Sequence, residues 1–215
     1  MEQILQSNIR RTYDIEPLVA ASKPVYQAVK RLFDVMVSVL ALLILGIPML
    51  ALTLVIRADS PGPAIFCQER LGKGGKPFVI YKYRTMCLDA ERSGPQWALA
   101  HDVRCTRVGR LLRRGHIDEL PQLLNVLKGE MSLVGPRPER SCFYQEFETY
   151  IHGFSQRLQV TPGITGWAQI NGGYELLPEE KILFDMEYIR RRSVLFDIRC
   201  LLGTVRAVFR HDGSR

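Results

Sequence analysis

Two adjacent acids, Asp118 and Glu119, lie within a stretch that is otherwise dense in fixed positive charge. An arginine-rich run precedes them, and downstream Arg137 stands between two prolines. A carboxylate pair in such surroundings either forms salt bridges or does chemistry on a phosphate, where cations neutralise the phosphate oxygens. Asp118 has a further structural alternative, because an aspartate at the start of a helix caps free N–H groups.

The loop around Arg137 favours the phosphate interpretation. Pro138 restricts Arg137 to extended conformations, and Pro136 restricts the chain just before it. An arginine on such a rigid loop loses little conformational freedom on binding, which suits bidentate contact with a phosphate.

Two further cations lie on a predicted β-hairpin. Residues 64–72 and 76–86 have the composition of two strands joined around a glycine turn. Lys82 and Arg84 share one face of the second strand, since side chains alternate with a period of two. These two side chains either bind phosphate or form a solvated face.

A basic helix is predicted at residues 102–114, just before the dyad. One stripe of this helix carries arginines at three- and four-residue spacing: Arg104, Arg107, Arg110 and Arg114. The stripe faces solvent, anionic headgroups or a phosphate substrate. Arg113 joins Lys82, Arg84 and Arg137 as a candidate phosphate ligand. An amphipathic helix then begins near Asp118 and ends at Gly129.

The uncharged segment 35–56 is the strongest element in the sequence, and at about 1.5 Å per residue it is long enough to span a bilayer. Lysines and arginines flank both of its ends, and the positive-inside rule draws both flanks to the cytoplasm. Pro48, near its middle, removes one helical hydrogen bond and bends the helix. We therefore expect a re-entrant helix that enters and leaves through one leaflet, in preference to a full span.

The composition of the 215 residues indicates an anionic partner. The formal net charge is +7 and the isoelectric point is near 9.3, which fits nucleic acid, a phospholipid surface or a phosphorylated small molecule. The five cysteines include no C-x-x-C pair, so a disulfide framework is not expected. The four histidines lack the spacing of a zinc site.

The order of several long motifs resembles the bacterial sugar transferases, small monotopic phosphoglycosyl transferases that start lipid-linked glycan assembly. The resemblance extends over about residues 27 to 208. The motifs are KRLFD (30–34), a proline-broken apolar helix, YKYRTM (81–86), HIDELPQLLNVLKGEMSLVGPRP (116–138) and PGITGWAQING (162–172). The sequence departs from the family at Ile47, where many members carry serine before the helix-breaking proline.

The resemblance implies a two-step reaction on a UDP-sugar. Asp118 would be the nucleophile and Glu119 its neighbour, both at a Mg²⁺ site, and UMP would be released. Undecaprenyl phosphate would then accept the phosphosugar, at the cytoplasmic face of the bacterial inner membrane and in contact with phospholipid. The product would start the lipid-linked assembly of exopolysaccharide, capsule or lipopolysaccharide O-antigen, with glucose or galactose as the expected sugar. No nucleic acid partner is implied, and a homodimer is an open alternative.

The predicted fold class is α+β: a helix-rich monotopic membrane protein with a re-entrant helix broken at Pro48, a small β-hairpin and interfacial amphipathic helices. The expected parts are an N-terminal tail or interfacial segment (1–26), the membrane helix (27–58), a cytoplasmic catalytic domain (59–208) and a C-terminal tail (209–215). Two other functions compete with this one. A non-catalytic membrane adaptor has no use for the Pro-Arg-Pro loop, and a metal-dependent phosphodiesterase would normally need more carboxylates.

Overall fold

A computed structural model describes residues 12–90, 102–172 and 176–210 of the chain. The helices are α1 (Pro24–Asp59), α2 (Arg107–Arg114), α3 (Leu123–Lys128), α4 (Ser141–Glu148), α5 (Trp167–Ile170), α6 (Pro178–Arg191) and α7 (Val194–Arg210). The strands are β1 (Tyr13–Asp14), β2 (Ile65–Leu71), β3 (Pro77–Tyr83), β4 (Ser132–Val134), β5 (Ile151–His152) and β6 (Gly163–Thr165). Short 3-10 turns cover Lys73–Gly75, Ile117–Gln122 and Phe154–Gln159. The predicted α+β class, rich in helix, is confirmed.

Helix α1 is the one helix in the described ranges that is long and apolar enough to cross a membrane. Pro24 occupies its first turn, where the missing N–H has no helical partner to lose. Only 6% of its most apolar 18-residue window is buried, so α1 is not the core helix of a soluble domain. The helix continues on both sides of Pro48. Pro48 therefore does not interrupt the helix, and the re-entrant path stays a prediction.

The predicted hairpin is confirmed. Strands β2 and β3 pair antiparallel, from Ile65 opposite Tyr83 to Leu71 opposite Pro77. Gly74 lies in the connecting turn with φ 68°, in the left-handed region that glycine adopts without strain. Lys82 is the next-to-last residue of β3, and this strand packs against the 3-10 turn Ile117–Gln122.

The predicted basic helix is shorter than expected. Helix α2 begins at Arg107, because the Thr106 side chain accepts a hydrogen bond from the Gly109 amide and caps the helix there. Before this point the Asp102 carboxylate accepts hydrogen bonds from the Arg104 amide and side chain, which closes a local turn. Arg104 therefore lies outside the helix, and the predicted arginine stripe is wrong at that position.

The core surrounds a second, parallel pair of strands. Ser132 of β4 lies beside Gly163 of β6, and Val134 lies beside Thr165. The described side chains with no exposed surface in this core include Val126, Ile151, Phe154 and Ile182. Because β4 directly precedes the Pro-Arg-Pro loop, its pairing with β6 fixes the start of this loop at the centre of the molecule.

Residues 12–23 form an extended strap across the surface of this core. Strand β1 pairs in parallel with β5, and the side-chain amides of Gln156 and Gln159 bind the backbone of the strap. The strap ends where Lys23 donates a hydrogen bond to the carbonyl oxygen of Arg192, immediately before α1. Residues 1–11 of the predicted N-terminal segment lie outside the described residues.

Candidate active site

The dyad lies in the 3-10 turn Ile117–Gln122, which connects α2 to α3. Helical structure thus begins close to Asp118, as predicted, but its first turn is not α-helical, and Pro121 within it cannot donate an α-helical hydrogen bond. His116 precedes the turn with φ 54°, in the left-handed region, so the chain changes direction there. No side chain of the described residues caps the turn, and capping therefore does not explain Asp118.

Both carboxyl groups of the dyad are buried, Asp118 at 8% and Glu119 at 6% exposure. Glu119 Oε1 accepts a hydrogen bond from Lys82 Nζ at 2.8 Å and a second from Arg137 Nη2. Arg137 Nη1 also lies 3.3 Å from Glu119 Oε2, so its contact with the carboxylate is bidentate. Lys82 and Arg137, two of the predicted phosphate ligands, are therefore brought together at Glu119.

Asp118 is in a different state from Glu119. Among the described residues, none donates a hydrogen bond to its carboxyl group. Burial raises the pKa of Asp118 above its ordinary value against the opposing effect of Lys82, and the neighbouring Glu119 anion adds to the rise. Burial would also raise the pKa of Glu119, but Arg137 and Lys82 outweigh it and hold that pKa well below its usual range. Asp118 is thus the more basic carboxylate of the two, and it is the one without a hydrogen-bond donor among the described residues. Both properties suit a nucleophile toward phosphorus.

Backbone hydrogen bonds to β6 hold the Pro-Arg-Pro loop in place. The Gly135 amide donates to the Thr165 carbonyl, and the Gly163 amide donates to the Pro136 carbonyl. A Cβ atom on Gly163 would lie 2.1 Å from the Gly135 nitrogen, so only glycine permits this approach. Gly163 therefore permits β6 to pack against the loop that carries Arg137.

A buried ion pair supports the same loop. Arg157 and Asp185 meet at 2.6 Å, with side-chain exposures of 0% and 1%. Arg157 Nη2 also donates a hydrogen bond to the carbonyl oxygen of Arg137 at 3.0 Å. The sequence-based prediction missed both residues. A signal was present, since Asp185 stands on the face of α6 that buries Ile182 and Ile189.

The other two predicted phosphate ligands, Arg113 and Arg84, differ in their relation to the dyad. Arg113, on α2, donates from Nε to Thr85 Oγ1 at 2.8 Å, and its charge lowers the pKa of Asp118. Arg84 lies beyond the end of β3, and its guanidinium donates to the carbonyl and hydroxyl oxygens of Ser60 at the end of α1. Cations are stabilised at that end of a helix dipole. These contacts do not support phosphate binding by Arg84.

The residues present fit a Mg²⁺ ion through Asp118 more readily than through Glu119. Both Glu119 oxygens already accept hydrogen bonds from cations, whereas the Asp118 carboxyl has none from the described residues. In those residues no three His, Cys, Asp or Glu side chains come together as a metal site. Mg²⁺ commonly takes one or two carboxylates and completes its shell with substrate phosphates and water. A single carboxylate together with a diphosphate is such a donor set.

A family model and several known proteins match most of the chain. The family model described as bacterial sugar transferase matches residues 25–211. The chain is 43% identical over 195 residues to UDP-N-acetylgalactosamine-undecaprenyl-phosphate N-acetylgalactosaminephosphotransferase of Aeromonas hydrophila, covering 89% of this chain and 46% of that protein.

Two proteins named UDP-glucose:undecaprenyl-phosphate glucose-1-phosphate transferase are also similar. The one from Escherichia coli is 42% identical over 187 residues, covering 84% of this chain and 40% of that protein. The one from Caulobacter vibrioides is 43% identical over 192 residues, covering 86% of this chain and 71% of that protein. The chain thus spans less than half the length of the Aeromonas and Escherichia relatives.

Proposed function

Because the chain belongs to the bacterial sugar transferase family, we propose that it transfers a sugar 1-phosphate from a UDP-sugar to undecaprenyl phosphate. The observation that carries this proposal is the unequal dyad, in which Asp118 has no hydrogen-bond donor from the described residues while two cations hold Glu119. The names of the relatives support undecaprenyl phosphate as the acceptor. The product would begin a lipid-linked glycan such as exopolysaccharide, capsule or O-antigen.

The first step is attack by Asp118 on the phosphorus that bears the sugar. An oxygen of the ionised carboxylate forms a bond to this phosphorus, and the bond to the UMP oxygen breaks. The electron pair of the broken bond leaves on UMP, and the phosphosugar remains attached to Asp118. The raised pKa of Asp118 makes the carboxylate a better nucleophile than an ordinary aspartate once it is ionised.

The second step returns the enzyme to its starting state. An oxygen of undecaprenyl phosphate attacks the same phosphorus, the bond to Asp118 breaks, and the carboxylate is regenerated. Neither step requires a net proton transfer. Covalent catalysis of this kind divides the overall exchange into two displacements at one phosphorus.

Attack by an anion on a diphosphate requires positive charge at close range. Lys82 and Arg137 supply it, and Glu119 holds them in position until phosphate oxygens arrive to share them. Arg113 adds a third positive charge near Asp118. Mg²⁺, held by Asp118 and the diphosphate, would neutralise further charge on the donor when bound.

The contacts of α1 support a re-entrant placement in the cytoplasmic membrane. Near its start, Arg31 donates to the carbonyls of Val126 and Leu127, at the end of α3. Near its end, Asp59 Oδ2 accepts a hydrogen bond from the Val108 amide of α2 at 3.2 Å. The two ends of a helix that crosses the bilayer lie on opposite sides of the membrane, so only one of them could contact the domain. Contacts of both ends with the same domain fit a helix that returns.

The exposed apolar side chains of α7 support a domain that rests on the membrane surface. Leu195 is 79% exposed and Leu202 is 67% exposed, on the face opposite the buried Phe196 and Cys200. Such an amphipathic helix buries its apolar face at the headgroup boundary. Asp118 would then meet a lipid-linked phosphate at the depth of the headgroups.

Release of UMP tests the proposed reaction. The purified 215-residue chain is incubated with Mg²⁺, undecaprenyl phosphate and each of UDP-glucose, UDP-galactose, UDP-N-acetylgalactosamine and UDP-N-acetylglucosamine. We expect sustained UMP release with one of these donors, and the panel includes both sugars named for the relatives. Asp118→Asn should abolish release, because an amide is not a nucleophile at phosphorus.

Mass spectrometry without acceptor tests the covalent step. A phosphosugar on the peptide that contains Asp118 is expected in the wild-type protein and absent from Asp118→Asn. Glu119→Gln serves as the matched control, since it keeps the nucleophile and weakens only the contacts with Lys82 and Arg137. Full UMP release by Asp118→Asn would overturn the assignment of the nucleophile.

A further inference from the structure

A cavity of about 170 Å³ lies beside the first turns of α1, and none of the dyad residues or their cations lines it. Its walls come from α1, from the turn of the β2–β3 hairpin, from the segment before β6 and from the end of α6. The proposed reaction assigns no role to this cavity.

The lining of the cavity carries more positive than negative charge. Its cations are Lys30, Arg31, Lys73 and Arg192, and its one carboxylate is Asp34. Asp34 is 4% exposed and accepts a hydrogen bond from the Leu133 amide.

Two of the cations are already used to attach α1 to the domain. Lys30 pairs with Asp197 at 2.8 Å, and Arg31 donates to two carbonyl oxygens at the end of α3. The charges that remain available to a ligand are those of Lys73 and Arg192.

The buried guanidinium of Arg192 has one nitrogen that lacks a hydrogen-bond acceptor. Its side chain is 5% exposed, and Nη2 donates to the Ala21 carbonyl of the strap at 2.6 Å. Its Nη1 is buried and has no hydrogen-bond partner in the part of the chain that the structure describes. A buried donor without an acceptor is destabilising, so such a group is normally satisfied by water or by a ligand.

Lys73, which also lines the cavity, provides the second free cation. It lies in the 3-10 turn of the hairpin, is exposed, and makes no hydrogen bond or ion pair with the described residues. Thr161 belongs to the same lining, as does Ser132, whose hydroxyl already bonds to Asp34. A guanidinium and an ammonium at one cavity form a donor set that binds tetrahedral oxyanions.

We infer that this cavity binds a phosphate group through Lys73 and Arg192. Its position beside Lys30 and Asp34 is where α1 passes from its polar start to the uncharged stretch 35–56. Phospholipid phosphates lie at that depth in a membrane. The ligand is therefore the phosphate of an anionic lipid headgroup or of a soluble phosphate compound, and it would fasten the start of α1 to the domain.

Binding to the full chain distinguishes the two sources. Native mass spectrometry of the detergent-solubilised protein counts retained phosphatidylglycerol against phosphatidylcholine. Titration with inorganic phosphate and with glycerol 3-phosphate, followed by ³¹P line broadening, measures soluble ligands. Lys73→Gln should weaken whichever ligand binds by about tenfold, the effect of losing one charge-assisted hydrogen bond. Lys76→Gln is the matched control, because Lys76 belongs to the same turn but does not line the cavity.

Two further variants test whether the ligand binds in the cavity or at the dyad. Arg192→Lys retains the charge but loses the buried Nη1 and should also weaken binding. Arg137→Gln alters the phosphate ligands at the dyad and should leave binding in the cavity unchanged. Binding that survives in Lys73→Gln as in Lys76→Gln, or that disappears in Arg137→Gln alone, would overturn the inference. Retention of lipid alone would identify a headgroup site, and response to soluble phosphates alone a site for a free ligand.

Discussion

Variants of the Arg157–Asp185 pair should affect the stability of the protein and its activity to different extents. Arg157 and Asp185 form an ion pair with almost no exposed surface, and Arg157 also holds the Arg137 carbonyl. Arg157→Met would leave the Asp185 carboxyl buried without its partner. Breaking a buried pair in this way costs about 3–5 kcal/mol in free energy of unfolding. Since domains are typically stable by about 5–15 kcal/mol, the single variant should unfold at a clearly lower denaturant concentration.

The double variant Arg157→Met/Asp185→Leu should recover most of that stability. Replacing both members of a buried pair by apolar residues of similar volume is often neutral or stabilising. The Arg137 carbonyl would still lack its donor, and the loop would be less well positioned. We expect kcat/KM for UMP release to remain about tenfold below wild type, which corresponds to the loss of one buried hydrogen bond of about 1.4 kcal/mol.

Urea unfolding followed by circular dichroism and steady-state UMP release, both in the same detergent, measure the two effects. The exposed pair Arg190–Glu16, with its closest atoms 3.8 Å apart, provides the control. Arg190→Met should change neither quantity measurably, because exposed ion pairs contribute little. A double variant of Arg157 and Asp185 that regains both wild-type stability and wild-type kcat/KM would show that Arg157 does not position Arg137.

Three other perturbations have defined outcomes. Tyr83→Phe removes the hydrogen bond from the Tyr83 hydroxyl to the Met49 carbonyl, 2.8 Å long, and should lower the free energy of unfolding by about 1 kcal/mol in urea titrations. In pH–rate profiles kcat/KM should fall as the pH falls through the raised pKa of Asp118, since only the ionised form attacks, and Lys82→Met should move this limb to higher pH. Gly163→Ala should destabilise by several kcal/mol in the same titrations, because its Cβ would meet backbone.

Each of these has a control within the chain. Tyr81→Phe removes a hydroxyl whose hydrogen-bond partner among the described residues is the exposed Lys128, so it should leave stability unchanged. Gly46→Ala adds a Cβ with no atom within 4 Å and should be tolerated. An acid limb that stays in place in Lys82→Met would show that Lys82 does not set the pKa of Asp118.

The contact between Tyr83 and Met49 also bears on the helix around Pro48. Many family members carry serine at the position of Ile47, and its absence left the helix without an evident local hydroxyl. Met49, one residue after the proline, accepts hydrogen bonds from the Tyr83 hydroxyl and from Thr53 Oγ1. The hydroxyl of Tyr83 on strand β3 thus donates a hydrogen bond to α1 near Pro48, and no pattern within the α1 sequence predicts this contact.

Local patterns in the sequence determined the elements whose stability depends on near neighbours. The length and polarity of α1 follow from composition, and the hairpin follows from alternation around a glycine turn. The dyad and the Pro-Arg-Pro loop were recognised from residue types alone. Helix α2 was misplaced at its start because the cap of Thr106, a single hydrogen bond, outweighed the continuing arginine pattern.

Only the tertiary structure decided which cations face which carboxylates. Lys82 and Arg84 are equivalent in the sequence pattern, yet Lys82 binds Glu119 and Arg84 binds the end of α1. Arg157 and Asp185, distant in sequence, support Arg137 through a contact that requires the packing of α6 against the centre. Such contacts depend on how strands β4 and β6 pair across a long stretch of chain, and no spacing between nearby residues encodes that pairing.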